Sequence, residues 1–253
     1  MARLGDFSPQ AEAYARARPG YPGALVDLLV AELGLRPGDP VAELGAGTGL
    51  FTRQLAGRGL RVTAVEPSEA MRRLAPELPG VVWQAGTFEE TGLAAASQRW
   101  AVAAQAFHWA DPPRALPEAA RVLSPGGHLT VLWNDRDREA SALLRWTEDA
   151  IRRCAPAHDE AYRSRDWAAV LTSTGDFADV RIHEVGHSAH MTADRYLELW
   201  RSHNRLRVEA GEDGVAALVA ELAAHLAAER IERVEVPYRT RAWTARKRAG
   251  PGP

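Results

Sequence analysis

Cysteine is almost absent from this 253-residue chain: Cys154 stands alone. No intrachain disulfide can form, so a stapled extracellular scaffold is excluded. A lone thiol of this kind reads as a small hydrophobe rather than a nucleophile. Lysine is equally scarce, since Lys247 is the only one among 31 basic residues. The arginine excess reads as the coding bias of a GC-rich genome. Net charge is only −2, so the chain lacks the global basic footprint of a nucleic-acid binder. No apolar run approaches the roughly 18 residues of a membrane span. The start, MARLGDFSPQ, has no secretory apolar region. These absences lead to the expectation of a cytoplasmic protein with no membrane and no nucleic-acid partner. Oligomeric state is left open.

What is present is an alternation of short apolar runs with helical patterns from Val41 to Asn134. Such alternation builds a parallel sheet from βαβ units. Strands are expected at Val41–Leu44, Arg61–Glu66, Val81–Gln84, Trp100–Phe107 and His128–Asn134. Helices are expected at Thr48–Gly57, from a Ser68 cap to Leu74, and from Asp111-Pro112 to Leu123, stopped there by SPGG. Two later strands, within ADVRIHEVGHSAH and RVEVPYRTRAWTAR, carry the polar alternation of an antiparallel edge pair. Helical pattern fills Thr192–Arg207 and Val215–Ile231 between them, a connection long enough to serve as a cap. Arg138–Cys154 and Glu160–Thr172 also read as helical. A helix is expected to start at Ser8-Pro9 and another after Tyr21-Pro22.

The most informative stretch is VAELGAGTGLFTRQLA, Val41 to Ala56. A strand enters Gly45-Ala46-Gly47-Thr48-Gly49 and a helix leaves it. Glycines permit the tight turn and a close ligand, and the helix start adds a positive dipole. The spacing is G-x-G-x-G, one residue short of the dinucleotide pattern, and no Gly-Lys-Ser/Thr follows for a P-loop. Glu43 would repel a pyrophosphate and attract a cationic amine. Glu66 ends the second strand at a distance that suits a carboxylate accepting two ribose hydroxyls. An acid beside a cation, backbone room and a diol-binding acid together describe S-adenosylmethionine.

The motifs ELGAGTG (Glu43–Gly49), VEPSEAM (Val65–Met71), AGTFEETGL (Ala85–Leu93), AQAFHWAD (Ala104–Asp111) and ARVLSPGGHLTVLWNDRD (Ala120–Asp137) carry a family likeness. YARARPGYP (Tyr14–Pro22) and VEVPYRTRAW (Val234–Trp243) extend it. The chain resembles the class I S-adenosylmethionine-dependent methyltransferases, near the trans-aconitate and ubiquinone/menaquinone-type small-molecule group. The resemblance implies an α/β, Rossmann-like fold. Its seven-stranded, mostly parallel sheet would have an antiparallel last strand, helices on both faces and a helical cap. It implies one methyltransferase domain over 1–253. Lid helices would occupy 1–35, the cofactor-binding core 36–137, helices after the fifth strand 138–175, and the cap 189–231.

It also implies roles. Gly45, Ala46 and Gly47 would run under the methionine part of the cofactor, and Glu43 would lie near its amino end. Glu66 would hold the ribose. Pro67, Met71, Gly86, Thr87 and Phe88 would border the adenine. Phe88 stands where a smaller residue is common, and would stack on the base or fill a gap. Gln105, Ala106 and Phe107 would lie by the methionine carboxylate or sulfonium. A second departure is RWAV at the start of the fourth strand, where the group often has an acid.

Methyl transfer needs positioning above all, and a base only where the nucleophile must lose a proton. His108, at a strand end where open sheets place ligands, is the candidate base or orienter. Candidate acceptor contacts are Tyr14, Arg18, Tyr21, Trp109, Asn134, Arg136, Trp200, Arg201 and His203, with Asn204 beside them. Arg18, Arg136 and Arg201 are the three to test for an anionic substrate. His183 and His187 have no acid to complete a metal set, so no metal is expected. The function expected is methyl transfer to a small molecule held between core rim and cap. The alternatives are a non-catalytic S-adenosylmethionine-binding module and, further off, a nicotinamide oxidoreductase. A nucleic-acid enzyme would show a basic face or an Asn-Pro-Pro-aromatic motif.

Overall fold

The computed structural model describes residues 16–156, 158 and 161–249. Strands are β1 Pro40–Leu44, β2 Arg61–Val65, β3 Val81–Gln84, β4 Gln98–Ala104, β5 Leu123–Arg136, β6 Phe177–Thr192 and β7 Arg233–Lys247. Helices are α1 Gly23–Glu32, α2 Leu50–Ala56, α3 Glu69–Arg73, α4 Pro112–Val122, α5 Ala142–Cys154, α6 Trp167–Thr172, α7 Ala193–Arg201 and α8 Asn204–Ala228. One sheet has the order β3-β2-β1-β4-β5-β7-β6. Pairs β1–β2, β1–β4, β2–β3 and β4–β5 are parallel. Across β5 and β7, Thr130 bonds Thr244 while Asn134 bonds Thr240, so the numbers run in opposite directions and the pair is antiparallel.

The chain divides into two compact units. The first holds 20–134, 162–185 and 240–249 of the described residues; the second holds 16–19, 135–156, 158, 161 and 186–239. In the first unit, period-two alternation sends side chains to both sheet faces. Ala42, Ala101, Ala103, Leu129, Val131 and Trp133 join α4 and α6 in one cluster. Val41, Trp100, Val102 and Leu132 join α1 and α2 in another. Helices thus cover both faces, as parallel strands require. The buried Trp100 indole donates to Thr130 Oγ1 at 2.8 Å, and Thr130 bonds Thr244 at 2.8 Å, so no polar atom of this ladder is stranded. At the RWAV departure, Arg99 pairs with Asp39 at the chain surface. In the second unit, α5, α7 and α8 pack Leu144, Ile151, Tyr196, Trp200 and Leu218 around Val236 and Tyr238.

Several boundaries differ from the sequence reading. β4 stops at Ala104, because Gln105 takes a left-handed φ of 55° and Phe107–Trp109 coil into a 3-10 turn. SPGG does not end the pairing before β5. Leu123 already pairs with Gln98, and Trp100 pairs next with His128, so the four residues loop out inside the strand. The first crossover helix ends at Arg201, and His203 caps the next by accepting Leu206 N–H. That next helix breaks at Gly211, where φ is 73° and ψ 177°. The helical reading over Glu160–Thr172 resolves into a short turn and α6, begun by an Asp166 cap. The expected Ser8-Pro9 helix start and Tyr14 lie outside the described residues. No helix among the described residues is long and apolar enough to cross a membrane, and none of their His, Cys, Asp or Glu form a metal-holding group.

Candidate active site

The glycine loop leaves β1 in three left-handed steps: Gly45 at φ 71°, Gly47 at 58° and Gly49 at 82°. Each would strain any other residue. Four of the loop's backbone donors are engaged within the protein. Gly45 and Ala46 N–H both reach Val65 O, at 2.9 and 3.1 Å, and Gly49 N–H reaches Ala46 O at 3.0 Å. Gly47 N–H donates to Glu66 Oε2 at 2.8 Å, and Ser68 N–H to Glu66 Oε1 at 2.9 Å. The loop therefore offers shape and a fixed carboxylate rather than a nest of N–H groups. A phosphate would need that nest.

Space is distributed unevenly along the loop. A Cβ added at Gly45 would lie 2.7 Å from Ala106 Cβ and 2.8 Å from Phe88 Cζ. At Gly47 it would meet only Met71 Cε, at 4.0 Å. The room is thus at Gly47, bordered by Met71 and by Glu66, whose two oxygens are each steadied by one backbone N–H. A nucleoside's ribose and base suit such a place. Phe88 occupies the closed end: it sits edge-on to Phe107, with ring centres 5.6 Å apart. In this structure it fills a gap. Gly86 is crowded by Thr91 O and Val65 Cγ1, so its lack of a side chain serves packing. Pro67 and Thr87 are exposed at the ends of β2 and β3.

Burial dominates the electrostatics. Glu43 is fully buried and accepts the Thr52 hydroxyl, and Glu66 adds a second negative charge nearby. Desolvation pushes the Glu43 carboxyl up to about 8 from its ordinary 4.5. Burial also raises Glu66, against the opposing pull of its two N–H bonds and Arg72. Between pH 4.5 and about 8 the unfolded chain has lost the Glu43 proton and the folded chain keeps it. The Glu43 contribution to stability therefore falls as pH rises through that window. Glu43→Gln is expected to flatten the pH dependence of the melting temperature over pH 5–8. An unchanged slope in thermal melts would reject the buried, protonated carboxyl.

At the ends of β4 and β5, Gln105 Oε1 accepts Asn134 N–H at 2.9 Å. The Asn134 amide is engaged at both ends: Nδ2 donates to Gly20 O at 3.2 Å and Oδ1 accepts Thr240 Oγ1–H at 2.7 Å. His108 is stacked on Tyr162, with ring centres 4.4 Å apart, and lies 4.6 Å from Trp109. Tyr21 packs edge-on to Phe51 of α2 at 5.1 Å. In the second unit, the Arg136 guanidinium lies 4.4 Å over the Trp200 ring, and His203 stacks on the same indole at 5.9 Å. Asn204 is buried beside them. Arg201 instead points out and pairs with Glu198 at 3.2 Å. Arg18 is half-buried; its carbonyl accepts Arg195 at 3.4 Å. Thr52, Trp133, Tyr162 and Thr240 were not singled out from sequence. Only Thr52 left a trace there, as the third residue of the helix after the loop.

A family described as "Methyltransferase domain" matches residues 42–131. An uncharacterised methyltransferase of Mycobacterium tuberculosis is 36% identical over 200 residues, covering 79% of this chain and 76% of its own. This chain belongs to the methyltransferase family. An uncharacterised methyltransferase-like protein of Schizosaccharomyces pombe is 28% identical to this methyltransferase, with 96% of each chain covered. A solved candidate type II methyltransferase from Anaeromyxobacter dehalogenans superposes with a TM-score of 0.64 at 28% identity, covering 90% of this chain and 96% of its own. The fold is also that of a phosphoethanolamine N-methyltransferase from Haemonchus contortus. That protein was solved with phosphomonomethylethanolamine and S-adenosylhomocysteine (TM-score 0.56, 16% identity, 98% of this chain and 61% of the other).

Proposed function

We propose that this methyltransferase moves a methyl group onto a small-molecule acceptor at the carboxyl ends of β1, β2 and β4. The observation that carries the reading is the open space over Gly47 beside a Glu66 carboxylate pinned by two backbone N–H groups. When bound, S-adenosylmethionine supplies a methyl group on a cationic sulfur with a neutral leaving group. The chain's own residues do the rest. Glu66 accepts the ribose hydroxyls, and Met71 and Pro67 border the base. Glu43, a buried neutral carboxyl bonded to the Thr52 hydroxyl, lies near the amino end. Gln105–Phe107 line the route toward His108 and Trp109, which form the acceptor wall. Orientation and exclusion of water then carry most of the rate. Asn134, with its amide already shared between Gly20 and Thr240, holds that rim in place. The Arg136–Trp200–His203 stack is a separate candidate for an anionic or aromatic acceptor group.

Thermal melts test the cofactor assignment. At a hundredfold excess over Kd, S-adenosylhomocysteine is expected to raise the melting temperature by about 5–10 °C. NAD is expected to leave it unchanged. A shift with NAD and none with the sulfur nucleoside would overturn the reading.

A further inference from the structure

Trp133 lies in β5, fully buried, stacked on Trp167 with ring centres 4.1 Å apart and edge-on to Trp243 at 5.7 Å. Packed on those two rings, the indole is held in one orientation. Its only polar atom, Nε1–H, points at His108 Nδ1 at 3.2 Å. An indole N–H can only donate. Nδ1 of His108 must therefore be the unprotonated, accepting nitrogen, and the ring proton of the neutral imidazole resides on Nε2. Tyr162, stacked on the imidazole at an interplanar angle of 16°, keeps the ring in that setting.

We propose that Trp133 is a positioning residue that holds His108 as its Nε2–H tautomer, so that His108 serves methyl transfer as a hydrogen-bond donor and not as the base. The inference rests on the proposed placement of His108 at the acceptor wall. A base at Nδ1 would have to displace the indole, and a base at Nε2 would already carry its proton. The acceptor therefore arrives with its nucleophilic lone pair available, and His108 orients an oxygen or nitrogen that can accept a hydrogen bond. Charged groups of both signs lie around this aromatic cluster. Arg163 lies 5.8 Å over Tyr162, Arg165 5.2 Å over Trp167, and Arg241 5.3 Å over Trp243. On the turn after Trp109 the charged groups are Asp111 and Glu89, the latter accepting Asp111 N–H at 2.8 Å.

Nitrogen-15 spectra of histidine-labelled full-length protein test the proposal, with His108→Ala used to assign the resonance. At neutral pH the wild type is expected to show an unprotonated Nδ1 and a protonated Nε2. In Trp133→Phe the signal is expected to average between tautomers, with the titration midpoint about half a unit to one unit higher. Indole exchange provides a second readout that spares the core: Trp133 Nε1–H is expected to exchange at least tenfold faster in His108→Ala. A proton on Nδ1 in the wild type, an unchanged Trp133→Phe spectrum, or unchanged indole exchange would each overturn it. S-adenosylhomocysteine titrated into the same samples reports separately on the methyltransferase reading.

Discussion

Glu66→Ala is expected to weaken S-adenosylhomocysteine binding about 100-fold or more while the protein still melts cooperatively. Two effects combine. The ribose loses a charged acceptor, at about 1.5–3 kcal/mol for each hydrogen bond to a charged group. The glycine loop loses its clasp, because Gly47 and Ser68 N–H both give up their partner. Glu66→Gln separates the two. Its amide keeps one oxygen for one N–H and turns an NH2 toward the other, so the loop is half held while the charge is gone. Calorimetric titration should rank wild type above Gln above Ala. An affinity in the Ala variant within threefold of wild type would remove Glu66 from the ribose site.

Gly45→Ala is expected to cost about 2–5 kcal/mol of stability and to abolish cofactor binding. A left-handed φ alone costs an L-residue about 1–2 kcal/mol, and overpacking typically adds about 1–3. The new methyl would overlap Ala106 Cβ and Phe88 Cζ, both under 3 Å away. Gly47→Ala is the control: its φ is also left-handed, but no atom lies closer than 4.0 Å. It should pay the backbone cost alone. Phe88→Ala added to Gly45→Ala should recover part of the loss, since the two sites share one volume and their effects cannot add. Denaturation midpoints check all four proteins. Equal losses at Gly45 and Gly47, or no recovery with Phe88→Ala, would show that packing at the closed end does not matter.

The parts of the fold written in short-range pattern were legible. β3 is found where its apolar run lies, the Ser68 cap accepts Met71 N–H at 3.4 Å, and the strand–glycine–helix unit is where its spacing put it. The errors cluster where tertiary contacts override local preference. Phe107 reads as the end of a strand until Gln105 is forced left-handed by the turn. SPGG reads correctly as a helix stop, since the helix ends at Val122, but the strand expected from His128 already begins at Leu123, which finds a ladder partner in Gln98. At the site, the residue types were readable and their neighbours were not. Nothing local says that Asn134 would spend its amide on Gly20 and Thr240, 114 and 106 residues away along the chain. Nor does periodicity reveal that Trp133 addresses His108, since a buried tryptophan in a strand looks the same whichever way its N–H points.

The solitary thiol gives the molecule a built-in reporter. Cys154 ends α5 half-buried, its S–H directed at Ile151 O at 3.3 Å, and burial pushes its pKa up. Partial burial and the raised pKa slow its reaction with a maleimide or disulfide reagent, and opening of this helix end speeds it. With no competing cysteine in the sequence, the labelling rate becomes a clock for local opening in the unit built from α5, α7 and α8. Cofactor titrated against that clock asks a question that bulk melting cannot. It distinguishes a ligand that steadies only the glycine-loop unit from one that also quiets motions around the α5 terminus.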